Sequence, residues 1–210
     1  MVNILVVGDH PLVRKGIVCV LREAFPITNI AEACNGAEVL KATASQMWSM
    51  VLLDISLPGR SGIDVLKDIK ERNPRIPVMM LSAYDETQFA IRALRAGAAG
   101  VLNKDCLPEV LIGATRQVLA GKKFISESVA ETLADEMTVD STRPVHELLS
   151  DREYDVMVKI AAGASVGEVA AQLNLSVKTI STYRGRILEK MHLKNNAQLS
   201  QYAIRNNLID

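Results

Sequence analysis

At the ends of four short apolar runs the chain carries side chains that could handle a phosphoryl group together. Asp9 follows ILVVG, Asp54 follows MVLL, Ser82 follows VMML, and Lys104 follows GVLN. Two carboxylates offer hard oxygen ligands to Mg²⁺, while a hydroxyl and an ammonium can bind phosphoryl oxygens. A carboxylate in such a setting can attack phosphorus and become an acyl phosphate. Singly these residues are unremarkable, since Asp and Ser are common in turns and lysines cover most surfaces. Their recurrence at successive run ends is what points to one site.

Up to about residue 120, β-rich runs alternate with amphipathic stretches. The runs are Asn3–Val7, Asn29–Cys34, Met50–Leu53, Val78–Ser82 and Gly100–Asn103. Helical spacing covers Pro11–Glu23, Ala37–Ala44, Gly62–Arg72, Thr87–Ala96 and Pro108–Ala120. Apolar strands separated by single helices predict a parallel sheet covered on both faces, and five such units make an α/β flavodoxin-like domain. In such sheets ligands collect at the carboxyl ends of the strands, where the four residues fall. The domains are read as 1–122, a linker with a helix (Ser126–Met137) over 123–146, and a small all-α four-helix helix-turn-helix domain over 147–210. The loosest stretch, TVDSTRPVHE, marks the linker at 138–146.

Composition narrows the class. With 49% hydrophobic and 23% charged residues and no biased tract, disorder and coiled coil are excluded as the main architecture. No apolar run reaches membrane-spanning length and the N-terminal run is too short for a signal peptide, so a cytoplasmic protein without membrane association is expected. Cys19, Cys34 and Cys106 are odd in number and widely spaced, which suggests buried small hydrophobes rather than disulfides or a zinc site. Net charge is zero, yet from Lys178 onward six bases face two acids, a surplus of four.

The segments ILVVGDHPLVR, VLLDISLPGRSGIDVL, VMMLSAYDE and AAGVLNKD closely resemble the receiver domains of two-component response regulators. The resemblance spans residues 1–122. It implies that Asp54 is the phosphoacceptor and that Asp9, Asp54 and the Ser56 carbonyl hold Mg²⁺. It further implies that Ser82 is the switch hydroxyl, that Lys104 pairs with the phosphate, and that Pro58 and Gly62 shape the loop after the acceptor. The phosphoryl donor would be a phosphohistidine on a sensor histidine kinase, and the receiver would catalyse its own phosphorylation without being a metabolic enzyme. Two departures stand out. Gly8 replaces the first acid of the usual pair, which weakens the metal site, and Val101 stands where many receivers carry a switch aromatic.

In the C-terminal segment, LSDRE, AAGAS, EVAAQL, LSVKTIS and KMHLKNNAQL follow in the order of the LuxR/NarL-type helix-turn-helix domain, which this segment closely resembles over residues 148–206. Ser176 is a good N-cap, opening a helix expected to run through His192. Ile180, Ile187 and Met191, with Tyr183 and Leu188, form an apolar side that would pack on Val169, Ala170 and Leu173. Lys178, Ser181, Thr182 and Gly185 share another side at i, i+3, i+4, i+7 spacing and suit a recognition helix. Lys178, Arg184, Arg186 and Lys190 would neutralise phosphates; Thr179, Ser181, Thr182 and Gly185 lie on or near the base-reading side. Gly185 either forfeits a base contact or permits closer approach.

The resulting expectation is a transcription regulator phosphorylated on Asp54 that binds double-stranded promoter DNA as a homodimer, with dimer contacts through Ala197–Arg205 and the receiver. Two other readings compete with it. One is an atypical receiver whose DNA binding escapes phosphate control, motivated by Gly8 and Val101. The other is a Mg²⁺-dependent phosphohydrolase using Asp54, which would need a second acid near the nucleophile and a substrate cap that the sequence does not offer.

Overall fold

A computed structural model describes residues 2–25, 28–83, 86–138 and 144–209. The chain divides into two compact units, Met1–Val139 and Asp140–Asp210. Residues 139–143, the centre of the expected linker, lie outside the described residues.

In the first unit β1 (Val2–Val7), β2 (Thr28–Ala33), β3 (Met50–Asp54), β4 (Val78–Ser82) and β5 (Gly100–Asn103) form one parallel sheet in the order β2-β1-β3-β4-β5. Helices α1 (Pro11–Ala24), α2 (Gly36–Ser45), α3 (Gly62–Arg72), α4 (Glu86–Arg95) and α5 (Pro108–Leu119) fill the crossovers. Every residue of β3 and β4 is buried, which accounts for their unbroken apolar runs. Alternate side chains serve opposite faces. Ile4, Val6, Met50, Leu52, Met79 and Leu81 join Val18 and Leu21 of α1 and Leu111, Ala114 and Val118 of α5 in one core. Apart from Ala114, each such side chain, fully buried, stabilises the unit by about 1.5–3 kcal/mol.

Beyond α5 the chain returns to the sheet. The Phe124 N–H donates to the Ala99 carbonyl at 2.8 Å, and Phe124 bridges Gly100 at the edge of β5. Helix α6 (Glu127–Thr138), the helix expected in the linker, then packs on α4.

The second unit holds a 3-10 turn (Val145–Leu148) followed by α7 (Asp151–Ala161), α8 (Val166–Gln172), α9 (Val177–Lys190) and α10 (Asn196–Arg205). Side-chain caps begin each helix: Ser150 and Ser165 close capping boxes with Glu153 and Glu168, and Ser176 and Asn195 accept from Thr179 and Gln198. Such a cap contributes about 1 kcal/mol. Helix α7 packs against α8, α9 and α10. Among the described residues, no helix is long and apolar enough to cross a membrane.

Two expectations need correction. Cys19 and Cys34 are exposed and Cys106 is only half-buried, so none is a core residue. Cys19 adjoins the buried Val18 but points off the apolar side of α1, and Cys34 lies past the end of the edge strand β2. Helix α9 ends at Lys190 rather than His192, because Met191 is its C-cap and His192 takes a left-handed φ of 55° that terminates the helix.

Candidate functional site

Strand register brings the chemistry-bearing residues of the first unit to one rim. Val7 pairs with Leu53, Asp54 with Leu81, and Ser82 with Asn103, so Gly8–Asp9, Asp54, Ser82 and Lys104 emerge at the same carboxyl edge. The Lys104 N–H donates to the Ser82 carbonyl at 2.7 Å, which extends the ladder one residue past β5 and starts the lysine toward β3.

Asp54 is the centre of this rim. Its side chain is 3% exposed, Lys104 Nζ donates to its Oδ2 at 2.5 Å, and the Ser56 N–H donates to its Oδ1 at 2.9 Å. Burial pushes the Asp54 carboxyl above its usual pKa, opposed by the Lys104 ammonium and the Ser56 N–H. The loop beyond it is held by Gly62. A Cβ at that position would penetrate the Asp54 carbonyl oxygen, and the Gly62 N–H donates to the Ile55 carbonyl at 2.7 Å. Ser61 caps α3 by accepting from the Ile63 N–H. Ser82 is buried at the end of β4, and Val101 is buried in β5.

Gly8 faces Asp54. A Cβ there would stand 3.4 Å from Asp54 Oδ2, so an acidic side chain at this position would rise directly beside Asp54. A cavity of about 10 Å³, about the space of one water, is lined here by Gly8, Asp54 and Lys104 among others. Asp9 is present at the same rim, with His10 Nδ1 2.6 Å from its Oδ1. The ligand atoms of Asp9, His10 and Asp54 lie within 4.8 Å of one another. Two carboxylates and the neighbouring Ser56 backbone are a donor set that fits a divalent cation. Arg14, not singled out by sequence, donates to the Gly8 carbonyl at 2.5 Å and to Glu32 at 2.8 Å, fastening the first loop to β2.

In the second unit, α8 and α9 form a helix-turn-helix. Asn174 turns the chain with φ 50°, and Ile180, Ile187 and Met191 are buried along with Val169, Ala170 and Leu173 of the preceding segment. Lys178, Ser181, Thr182, Gly185 and Arg186 are exposed on α9. Thr179 is half-buried, and its hydroxyl lies 2.7 Å from the Ser176 hydroxyl. The Thr182 hydroxyl donates back to the Lys178 carbonyl at 3.0 Å. A Cβ on Gly185 would meet nothing within 4 Å.

Two of the expected phosphate-neutralising bases have partners inside the unit. Arg184 Nε donates to Asn196 Oδ1 at 2.6 Å, tying α9 to α10. Lys190 Nζ donates to Glu153 Oε2 at 2.6 Å, tying α9 to α7. Sequence reasoning passed over Val177, which opens α9 and is 56% exposed; the signal was its place immediately after the N-cap Ser176.

Comparison with known proteins identifies the family of each unit. Residues 4–116 match the response regulator receiver domain, and residues 147–203 match the bacterial regulatory proteins of the luxR family. The chain is 33% identical to Response regulator UvrY of Escherichia coli over 209 residues, covering 99% of this chain and 96% of that one. It is also 33% identical to Response regulator GacA of Pseudomonas aeruginosa, covering 100% and 99%. Among solved structures, RcsB of Salmonella typhimurium aligns with a TM-score of 0.58 at 27% identity over 97% of this chain and 98% of the other. An RcsB–DNA complex aligns with a TM-score of 0.59 at 27% identity over 96% of both. The chain belongs to the two-component response regulators that join a receiver domain to a LuxR-type DNA-binding domain, proteins that regulate transcription and are not enzymes of metabolism.

Proposed function

We propose that Asp54 accepts a phosphoryl group from a phosphohistidine on a sensor histidine kinase, and that this modification controls DNA binding by a homodimer. The observation that carries the reading is the buried Asp54 carboxylate with Lys104 Nζ at 2.5 Å on the strand-end rim. An Asp54 oxygen attacks phosphorus as the P–N bond of the donor breaks; the leaving imidazole keeps the bonding pair, and the carboxylate becomes an acyl phosphate. Lys104 moves from pairing with the carboxylate to pairing with a phosphoryl oxygen, and Ser82 supplies a hydroxyl to another. Asp9, Asp54 and the Ser56 carbonyl would hold Mg²⁺, which when bound neutralises the charge gathered on the phosphoryl oxygens.

On DNA, α9 enters the major groove with its first turns. Lys178 and Arg186 neutralise phosphates, while Ser181, Thr182 and the exposed Val177 face base edges and thymine methyls. Arg184 and Lys190 contribute less, since each is engaged with a neighbouring helix. One module offers a small interface, so specificity needs two half-sites. A solved structure of two RcsB dimers bound to two parallel DNAs, at 26% identity and a TM-score of 0.60, supports the dimeric arrangement. The site of action would be the cytoplasm, where promoter DNA and the kinase's histidine are both reached.

The test is labelling by acetyl phosphate in Mg²⁺, read by intact mass. The parent protein gains one phosphoryl group and Asp54→Asn gains none. Absence of labelling in the parent would favour a second reading, DNA binding without phosphate control, which rests on Gly8 beside Asp54 and on the absence of a ring at Val101.

A further inference from the structure

The rim of the first unit contains a nitrogen donor that the proposed function does not use. We infer that His10 joins Asp9 and Asp54 as a direct ligand, making the cation site selective for a nitrogen-accepting first-row transition ion over Mg²⁺. This rests on the reading that Asp9 and Asp54 hold a divalent cation.

The geometry suits a shared ion. Ligand atoms of the three residues all fall within 4.8 Å of one another. His10 Nδ1 and Asp9 Oδ1 stand 2.6 Å apart, and adjacent donors on an ion at about 2.1 Å are about 3 Å apart, so a small opening of the pair admits one. The ring is free to make that adjustment. His10 occupies the N-cap of α1 in extended conformation, forms no side-chain cap bond, and its side chain is 68% exposed. Pro11 at the start of α1 leaves one fewer backbone N–H for a cap to satisfy.

Gly8 determines the direction of the selectivity. Without an acid at position 8, the rim lacks a carboxylate beside Asp54 Oδ2, and Mg²⁺, which depends on hard oxygen ligands, loses affinity. A neutral imidazole adds little for Mg²⁺ but binds Mn²⁺, Co²⁺ and Ni²⁺ increasingly well along the divalent series, and is also a good ligand for Zn²⁺. Replacing one anionic oxygen donor by a nitrogen therefore shifts the balance between the two ion classes, with no change in the acceptor.

The experiment titrates the full chain with Co²⁺ and with Mg²⁺, following the visible absorption of bound Co²⁺ and its displacement by Mg²⁺. The parent, His10→Ala, His10→Gln and Asp54→Asn are compared, with Trp48 fluorescence confirming that each is folded. The parent should bind Co²⁺ with a spectrum showing nitrogen ligation. The Co²⁺:Mg²⁺ affinity ratio should fall roughly tenfold or more in both His10 variants, with Mg²⁺ affinity unchanged. An unchanged ratio in the His10 variants, with binding still lost in Asp54→Asn, would overturn the inference and leave the cation site standing. Binding that Asp54→Asn does not weaken, or no binding of either ion, would overturn both.

Discussion

Replacing Gly62 by alanine puts a methyl group into backbone. Beyond its overlap with the Asp54 carbonyl oxygen, the new Cβ would lie 2.8 Å from Ile55 Cα and 2.9 Å from the Asp54 carbonyl carbon. Carbon atoms rest about 3.5–4.0 Å apart, so relieving these two carbon contacts alone moves the start of α3 or the end of β3 by about 0.7 Å, and the overlap with the carbonyl oxygen demands more. Neither can yield by a rotamer change. Moving α3 strains the Gly62–Ile55 hydrogen bond and disturbs the buried Ile63, Leu66 and Ile69; moving β3 displaces Asp54 from Lys104. Overpacking costs about 1–3 kcal/mol, and rigid neighbours put this case at about 3. For a unit of this size that is a fall in Tm of about 10 °C. The protein's one tryptophan, Trp48, is buried in the first unit, so its fluorescence during a thermal melt reports that unit. Phosphoryl uptake should slow by roughly tenfold or more, since placement errors of this scale cost about that much. Gly185→Ala is the control: with open space around it on a helix, it should stabilise the second unit by about 1 kcal/mol. A Gly62→Ala protein melting within 2 °C (about 0.5 kcal/mol) of the parent would refute the steric argument.

Three further outcomes follow from individual contacts. Lys104→Met leaves Asp54 buried without its counter-charge and should destabilise the first unit by about 3 kcal/mol at neutral pH. Because the folded Asp54 pKa is already raised, stability is lost as pH rises through it; the deficit should shrink toward pH ~4, and a deficit independent of pH would count against this. For Glu153, burial works to raise the carboxyl, but bonds from Lys190, the Ser150 N–H and the Ser150 hydroxyl outweigh it and hold the pKa low. Its contribution is present above the unfolded value of about 4.3 and lost as pH falls through the folded one, so Glu153→Gln should cost about 1 kcal/mol at pH 7 and little at pH ~3 in a urea titration. On DNA, Lys178→Ala and Arg186→Ala should each weaken binding evenly across sequences and reduce the salt slope by about 1, whereas Lys190→Ala should act mainly on stability.

The strand-end rim was legible because strand ends can be counted: each of Asp9, Asp54, Ser82 and Lys104 follows an apolar run, and a parallel sheet must bring those ends together. The buried side of α9 was legible through its helical period, and Ile180, Ile187 and Met191 are buried as that period requires. What escaped depends on contacts remote in sequence. Lys190 reaches Glu153 across 37 residues and Arg184 reaches Asn196 across 12, so periodicity alone presented both as free bases. The cysteines were misjudged because residue type was used without position: Cys19 sits one residue off a buried side, and Cys34 sits past an edge strand. The end of α9 carried no glycine to announce it, and His192 adopts the left-handed turn regardless. Likewise the helix over Ser126–Met137 was visible in sequence, but the packing of α6 on α4 was not.

The most direct test of the central claim is the DNA affinity of the intact two-unit chain before and after treatment with acetyl phosphate, on genomic fragments it has itself selected, at fixed salt. The account predicts that acetyl phosphate raises affinity at least tenfold together with a shift toward the dimer in sizing, and that Asp54→Asn shows neither. Equal affinity with and without the phosphoryl group, in a protein shown by intact mass to be labelled, would contradict it.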